Sequence, residues 1–270
     1  MTLVEYRPCG TLGFLVLNNP AKLNALTPEM LTGIGAALDS FLADADAKVL
    51  IVRGEGRSFC AGIDVGRRSE YGATSGTDDL ERLRSMAGLW LRFWDSPKPV
   101  IAQIHGYCLA GAVQFPLCCD LVTVAEDAVI GAPKLPMGAG WIGPMLAHRI
   151  GVQRAKLFMF QLGYELTGRE AYDIGFAAHI APAERLAAET EALARRIAAM
   201  PPELLRMEKL SINSVAEAAG FRAATYNGTL WDAISHSAPG VAEAKELVRE
   251  HGMKGALARY TPRDPAMGDT

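Results

Sequence analysis

The chain has 270 residues, 50% of them hydrophobic and 21% charged, enough apolar chain for one large domain or a core with an appendage. Lys and Arg number 27 against 30 Asp and Glu, a formal charge of −3, and no basic block marks a nucleic-acid or anionic-lipid surface. Gln103, His105, Gln114, Pro116 and Asp120 punctuate the most apolar stretch, which argues against a membrane span, and the short apolar patch at 14–17 behind Glu5 and Arg7 lacks the form of a secretory signal. The expectation is a cytoplasmic protein with no nucleic-acid partner.

In chain order, a hairpin is expected around residues 9–13, followed by a strand over 14–17. Thr27-Pro28-Glu29 reads as an N-cap with proline at the first helical position, and Met30, Ile34, Leu38 and Phe41 follow at the spacing of an amphipathic helix. Residues 49–52 are a branched apolar run closed by Gly54-Glu55-Gly56, and residues 100–104 repeat the plan ahead of His105-Gly106, so both read as buried parallel strands. Between them, residues 67–79 are rich in Gly, Ser, Thr and charge and read as a mobile loop of the kind that covers ligands. A helix carrying Leu80, Leu83, Met86, Trp90 and Trp94 comes next. Further strands are expected over 121–124 and from Val129. From Gly151 the pattern turns helical, with Leu186, Thr190, Leu193 and Ile197 on one face, and a helix starting at Pro201-Pro202 carries Leu204, Leu205 and Leu210. Strand-turn-helix units followed by helices predict an α/β core with a helical C-terminal region.

The five cysteines include no CxxC pair, and Cys118-Cys119 sit in an apolar run, so they read as core packing. The histidines at 105, 148, 179, 236 and 251 have no ligand spacing, and no metal site is expected. Two segments carry chemistry. In residues 54–64 the glycines at 54, 56 and 62 let a backbone behind a strand approach a ligand closely. In residues 106–114 a second strand end should open a helix, leaving unpaired N–H groups and the positive dipole end near Gly111. Two such turns can together form an anion hole, and neither is a phosphate-binding motif.

At this point the chain resembles the crotonase, or enoyl-CoA hydratase/isomerase, superfamily over nearly its whole length. Asn24-Ala25-Leu26, Arg57 through Asp64, Gly106-Tyr107 through Gly111, Cys119-Asp120-Leu121, Gly151 through Ala155 and Leu166 through Ala171 occur in the family's order and approximate spacing. The resemblance implies a crotonase-like spiral of ββα units, with residues 1–195 as core and 196–270 as a helical region that supports a homotrimer or hexamer. It implies an acyl-CoA thioester as substrate, with no cofactor beyond the coenzyme A the substrate carries. The thioester oxygen would sit between the main-chain amides of Ile63 and Gly111, which stabilise the enolate oxyanion. Lys22, Ala25, Ala61 and Ile63 would contact coenzyme A, although Lys22 reads equally as a solvated surface charge.

The family's hydratases use two glutamates, and those positions here are Gln114 and Lys134. Gln has no titrating proton, and Lys134 can act as a base only if burial or a neighbouring cation depresses its pKa, so the sequence argues against classical hydration. The segment 131–141 is shorter than the family form, and no acid between Asp127 and Glu165 restores the second carboxylate. Glu70, Asp78 and Asp79 could enter from the loop but read first as solvated loop charges. His105, Tyr107 and His148 could move protons but read first as structural residues; Asp64 reads as satisfying loop amides, and Trp141 as a wall of the acyl pocket. The reading is an acyl-CoA-processing enzyme of this family. The alternatives are a crotonase-type decarboxylase or thioester hydrolase, and a non-catalytic acyl-CoA binder.

Overall fold

The computed structural model describes residues 2–64, 75–138 and 140–260. The expected hairpin comprises β1 (Val4–Cys9) and β2 (Leu12–Leu17), paired antiparallel with Cys9 opposite Leu12. Behind it, Thr27 caps α1 (Pro28–Ala43), its hydroxyl accepting from the Met30 amide at 3.2 Å with Pro28 at the first turn, as the sequence predicts. Then come β3 (Val49–Gly54), α2 (Gly76–Trp94), β4 (Val100–Ile104), β5 (Tyr107–Leu109), a 3-10 turn over Ala110–Val113, α3 (Gln114–Leu117), β6 (Leu121–Ala125) and β7 (Val129–Gly131). The rest comprises α4 (Ile142–Ile150), α5 (Val152–Phe160), β8 (Glu165–Thr167), α6 (Gly168–Asp173), β9 (His179–Ala181), α7 (Ala183–Ala198), α8 (Pro202–Ala218), α9 (Phe221–Ser235) and α10 (Pro239–Tyr260).

Six strands form one sheet in the order β1-β2-β3-β4-β6-β9, parallel beyond the first hairpin, and β5-β7-β8 form a second. Successive strands alternate between the sheets: β4 lies in the large one and β5 in the small one, then β6 and β7 repeat the step, and helices follow each pair. This is the expected spiral of ββα units. The central strands are mostly apolar on both faces because both faces are covered, with the buried Gln103 of β4 and Thr123 of β6 as polar exceptions. Leu15, Leu17, Leu50 and Val52 point into the main core with α1 and α2, while Leu12, Phe14, Val16 and Ile51 pack beneath Ala194 and Ala198 of α7.

Three differences from the sequence reading have physical causes. A short strand, β5, and a 3-10 turn intervene before α3, which is a single helical turn, so a long helix dipole does not reach Gly111. Two three-residue strands, β8 and β9, interrupt the helical half and are too short to give a period-2 signal. Leu204 and Leu210 lie on the expected helix, α8, and are exposed there. The predicted loop over 67–79 ends early: Ser75 caps α2 by accepting from the Asp78 amide, which places Asp78 and Asp79 in the first helical turn. Residues 67–74 of that loop, including Glu70, lie outside the described residues. Four of the five cysteines are buried as expected, and burial pushes the Cys60 thiol up to about 12; Cys9, on the hairpin, is exposed.

Candidate active site

The segment after β3 is fastened on both sides by main-chain hydrogen bonds. On one side the Ala61 amide donates to Leu23 O at 2.9 Å, Leu26 to Gly62 O at 2.7 Å and Asp64 to Leu26 O at 2.9 Å. On the other, Phe59 donates to His105 O and Cys60 to Tyr107 O, both at 2.9 Å, and Leu109 donates to Cys60 O at 3.1 Å. Asn24, fully buried and left-handed at φ 56°, stitches the base: its Oδ1 accepts from the Asn19 amide at 2.8 Å, and its Nδ2 donates to Glu55 O at 3.0 Å and Ser58 O at 2.9 Å. Two glycines permit the close packing. A Cβ on Gly106 (φ 55°) would lie 2.0 Å from Arg57 O, and one on Gly62 (φ 93°) would lie 2.7 Å from Leu109 O.

The stitching brings the two chemistry-bearing turns together. A Cβ on Gly62 would sit 3.3 Å from the Gly111 nitrogen and one on Gly111 would sit 3.7 Å from the Ile63 nitrogen, so the two amides are neighbours on one wall. The Ile63 amide makes no hydrogen bond to another described residue, and Gly111 is the second residue of its 3-10 turn, where N–H groups have no partner within the turn. Ala110 turns the chain there at φ 49°, a left-handed conformation that costs a non-glycine residue about 1–2 kcal/mol. The amides border a cavity of about 590 Å³, also lined by Leu23, Ala61, Gln114, Lys134 and Trp141.

Gln114 is buried at the cavity floor. In the amide orientation that satisfies both ends, its Nε2 donates to Gly111 O and its Oε1 accepts from Trp141 Nε1, each at 3.2 Å. The side chain thus braces the Gly111 turn, and Trp141 both walls the cavity and holds the brace. Lys134 stands at the rim, its side chain 50% exposed and 2.7 Å from Glu165 Oε1. Among the described residues, its charge partner is thus an anion at a half-exposed position. Lys22 ends an exposed 3-10 turn, and Ala25 is half-buried in the stitched segment beside it.

The other candidates separate clearly. His105 Nε2 donates to Gly56 O at 2.8 Å and ties the loop, as a structural residue would. Tyr107 is exposed, and His148 packs edge-on against Phe221 away from this cavity, with ring centroids 5.6 Å apart. Asp64 contributes its amide to the stitch described above.

Asp79 differs from the sequence reading. It is not a solvated loop charge: its side chain is 13% exposed, Oδ2 accepts from His236 Nδ1, and Oδ1 accepts from Arg82 Nη2 at 2.6 Å and Nε at 3.0 Å. Burial pushes this carboxyl up, but the hydrogen bonds from His236 and Arg82 outweigh it and hold it below the usual carboxylate range. His236 Nε2 lies 3.5 Å from Asp232 Oδ1, which accepts from the Gly140 amide at 2.8 Å. Arg82, Asp232 and His236 all line the same cavity as the two amides. Sequence reasoning missed His236 and Asp232, and the only signal for them is their i, i+4 spacing on one helix, which many solvated faces share.

Among the described residues no group of three or more His, Cys, Asp or Glu side chains is arranged to hold a metal ion, and no helix is long and apolar enough to cross a membrane. The family model described as Enoyl-CoA hydratase/isomerase matches residues 10–246. A protein of Bacillus subtilis (strain 168) described as a probable enoyl-CoA hydratase is 34% identical over 208 residues, 74% of this chain and 79% of that one. The crystal structure of an enoyl-CoA hydratase/isomerase from Xanthobacter autotrophicus Py2 superposes with a TM-score of 0.91 at 32% identity, covering 97% of this chain and 98% of that one. An enoyl-CoA hydratase from Mycobacterium smegmatis superposes at 0.87 with 29% identity, covering 99% and 94%. The matched span takes in both turns, most of the residues lining the cavity they border and the α9 helix, and on that extent the chain belongs to the enoyl-CoA hydratase/isomerase family.

Proposed function

We propose that the cavity takes the acyl end of an acyl-CoA thioester and that the Ile63 and Gly111 amides stabilise negative charge developing on the thioester oxygen. The observation that carries this is the pair of neighbouring amide nitrogens on one cavity wall, one of them without a hydrogen bond to any described residue. Fixed main-chain donors aimed at a developing oxyanion lower the barrier to enolate formation without reorganising during the reaction. The lining of Leu23, Ala61, Leu83, Met86, Leu109 and Leu135 suits an aliphatic or aromatic acyl group. In this reading Lys22, Ala25 and Ala61 contact coenzyme A, with the exposed Lys22 as the cation for a phosphate.

The two positions that the family resemblance assigns to hydratase glutamates supply no obvious base. Gln114 has no titrating group, and Lys134 is committed to Glu165 at the rim. Addition of water by the glutamate pair is therefore not part of this reading. Decarboxylation and thioester hydrolysis remain the alternative reactions, and the same two residues favour a second reading, a binder that holds the thioester without turnover. We further propose that α8 docks on another copy of the chain in a trimer or hexamer. Met207, Ile212 and Val215 on that helix are 63%, 66% and 71% exposed, more apolar surface than an isolated helix face usually leaves in water.

The test is mass-resolved turnover of a panel of CoA thioesters by the purified protein: crotonyl-CoA, a longer enoyl-CoA, a malonyl-type thioester and a saturated acyl-CoA. A product changed in mass or bond position that disappears on Gly111→Pro supports the enzyme reading. Binding without turnover across the panel supports the binder. Failure to bind any of them overturns both.

A further inference from the structure

The cavity has a second wall built from side chains, and the thioester reading leaves it unused. Asp79 and Arg82 come from α2, Asp232 and His236 from α9, and the backbone at Gly138 and Gly140 lies over them. The side chains of Asp79, His236 and Asp232 are 13%, 12% and 9% exposed, so this is a largely desolvated titratable cluster opening on an apolar chamber. Buried ionisable groups of this kind are costly unless paired, and a cluster lining a ligand-sized cavity is a candidate for chemistry.

The geometry orders the cluster. Asp79 is anchored by two hydrogen bonds from Arg82 and accepts from His236 Nδ1, which fixes the ring and directs Nε2 away from α2. Nε2 sits 3.5 Å from Asp232 Oδ1, beyond a normal hydrogen bond, and that oxygen is already engaged by the Gly140 amide. A Cβ on residue 138 would lie 2.5 Å from Asp232 Oδ1 and 2.6 Å from His236 Nε2, so only glycine lets the backbone pass this close to the pair without crowding the nitrogen. Among the described residues, the charged groups that bear on the ring are Asp79 and Arg82 across the helix interface and Asp232 on its own helix. Lys134, which lines the same cavity, is paired with Glu165.

We propose that His236, oriented by Asp79, carries the proton transfers of this cavity, removing a proton from the carbon next to the thioester carbonyl and returning it to the resulting enolate. This inference rests on the acyl-CoA reading above. In the forward step the Nε2–H bond forms as the Cα–H bond breaks, and the electron pair moves through the carbonyl carbon onto the oxygen held by Ile63 and Gly111. In the return step the imidazolium gives its proton back to carbon, at Cα or, for an unsaturated acyl chain, at the far end of the conjugated system. No electron leaves the system, and no co-reactant is consumed. Asp79 is a positioning residue, holding the ring and balancing the charge it gains.

The experiment follows deuterium uptake into butanoyl-CoA in D2O by mass spectrometry, with thioester affinity measured calorimetrically on the same samples. The wild type is expected to bind and to exchange its α-hydrogens. His236→Gln should slow exchange at least 100-fold with affinity changed less than about threefold, the loss typical of removing an acid–base group. Imidazole added to His236→Ala should restore part of the rate, which a purely structural histidine would not allow. Asp79→Asn should slow exchange about tenfold and move the pH profile, and Gly138→Ala should slow exchange by crowding Nε2 and Asp232 Oδ1. Exchange at the wild-type rate in His236→Gln overturns this inference and leaves the thioester reading standing. Binding by the wild type without exchange also overturns it, whereas failure of the wild type to bind removes the thioester reading and this inference together.

Discussion

The two walls of the cavity are made in opposite ways. The wall bearing Ile63 and Gly111 is main chain, its position set by hydrogen bonds among segments 23–26, 59–64 and 105–109 and by glycines that admit close contact. The other wall is side chain, and its geometry depends on two helices meeting, with Asp79 and His236 separated by 157 positions in sequence. A main-chain device tolerates almost any side chain at its donor positions, which is why isoleucine serves at 63. A side-chain device tolerates almost none, because charge, tautomer and packing must all agree.

The comparison predicts a graded series of effects. The largest is expected from Gly111→Pro, which removes one of the paired N–H donors: turnover of any thioester substrate should fall by about two to three orders of magnitude, read as kcat. A loss below tenfold would break the claim that the main-chain wall stabilises charge. Next comes Asn24→Ala, which strips three hydrogen bonds from the buried stitch and should lower the unfolding free energy by about 3 kcal/mol in urea titration. Asp79→Asn should cost about 1.5–3 kcal/mol at neutral pH through its lost charged hydrogen bonds.

The pH dependence of that third effect has a definite sign. Because the folded Asp79 carboxyl is held below its ordinary range, its contribution is fully present above the unfolded pKa and is lost as pH falls through the lower folded value. Stability of the wild type should therefore drop on acidification below the usual carboxylate range, and that part of the drop should vanish in Asp79→Asn. The smallest effect belongs to Lys134→Met. It breaks an exposed ion pair with Glu165, so stability should change by less than about 1 kcal/mol and kcat by less than about twofold. A large fall in kcat would return Lys134 to the chemistry.

The same contrast explains what could be read from the sequence. The Thr27-Pro28 cap, the apolar runs of β3 and β4 and the glycine turns after them are local signals, and the structure places each where the pattern indicates. The short strands β5, β8 and β9 are held by pairing to distant partners and leave almost no local trace. Asp79 misled for a related reason. Its neighbours are Gly, Ser and Thr, which suit a loop, and only the capping by Ser75 and the approach of α9 turn it into a buried residue. Gln114 and Lys134 were legible as departures from a family pattern. What Gln114 does instead, bracing the turn against Trp141, depends on an indole 27 positions away.

The fastening of residues 59–64 between two neighbouring segments has a consequence for how such a protein can diversify. Most bonds in that fastening join backbone to backbone; the side-chain contributions come from Asn24 at its base and from the buried Cys60 Sγ, which donates to Asn24 O at 3.0 Å. Ala61, Ile63 and Leu109 therefore present side chains to the chamber that contribute nothing to the placement of the donors. Substitution at these positions can reshape the chamber for a longer, branched or aromatic acyl group while the point of charge stabilisation stays fixed. Selectivity and rate are in this way written in separate parts of the same two turns.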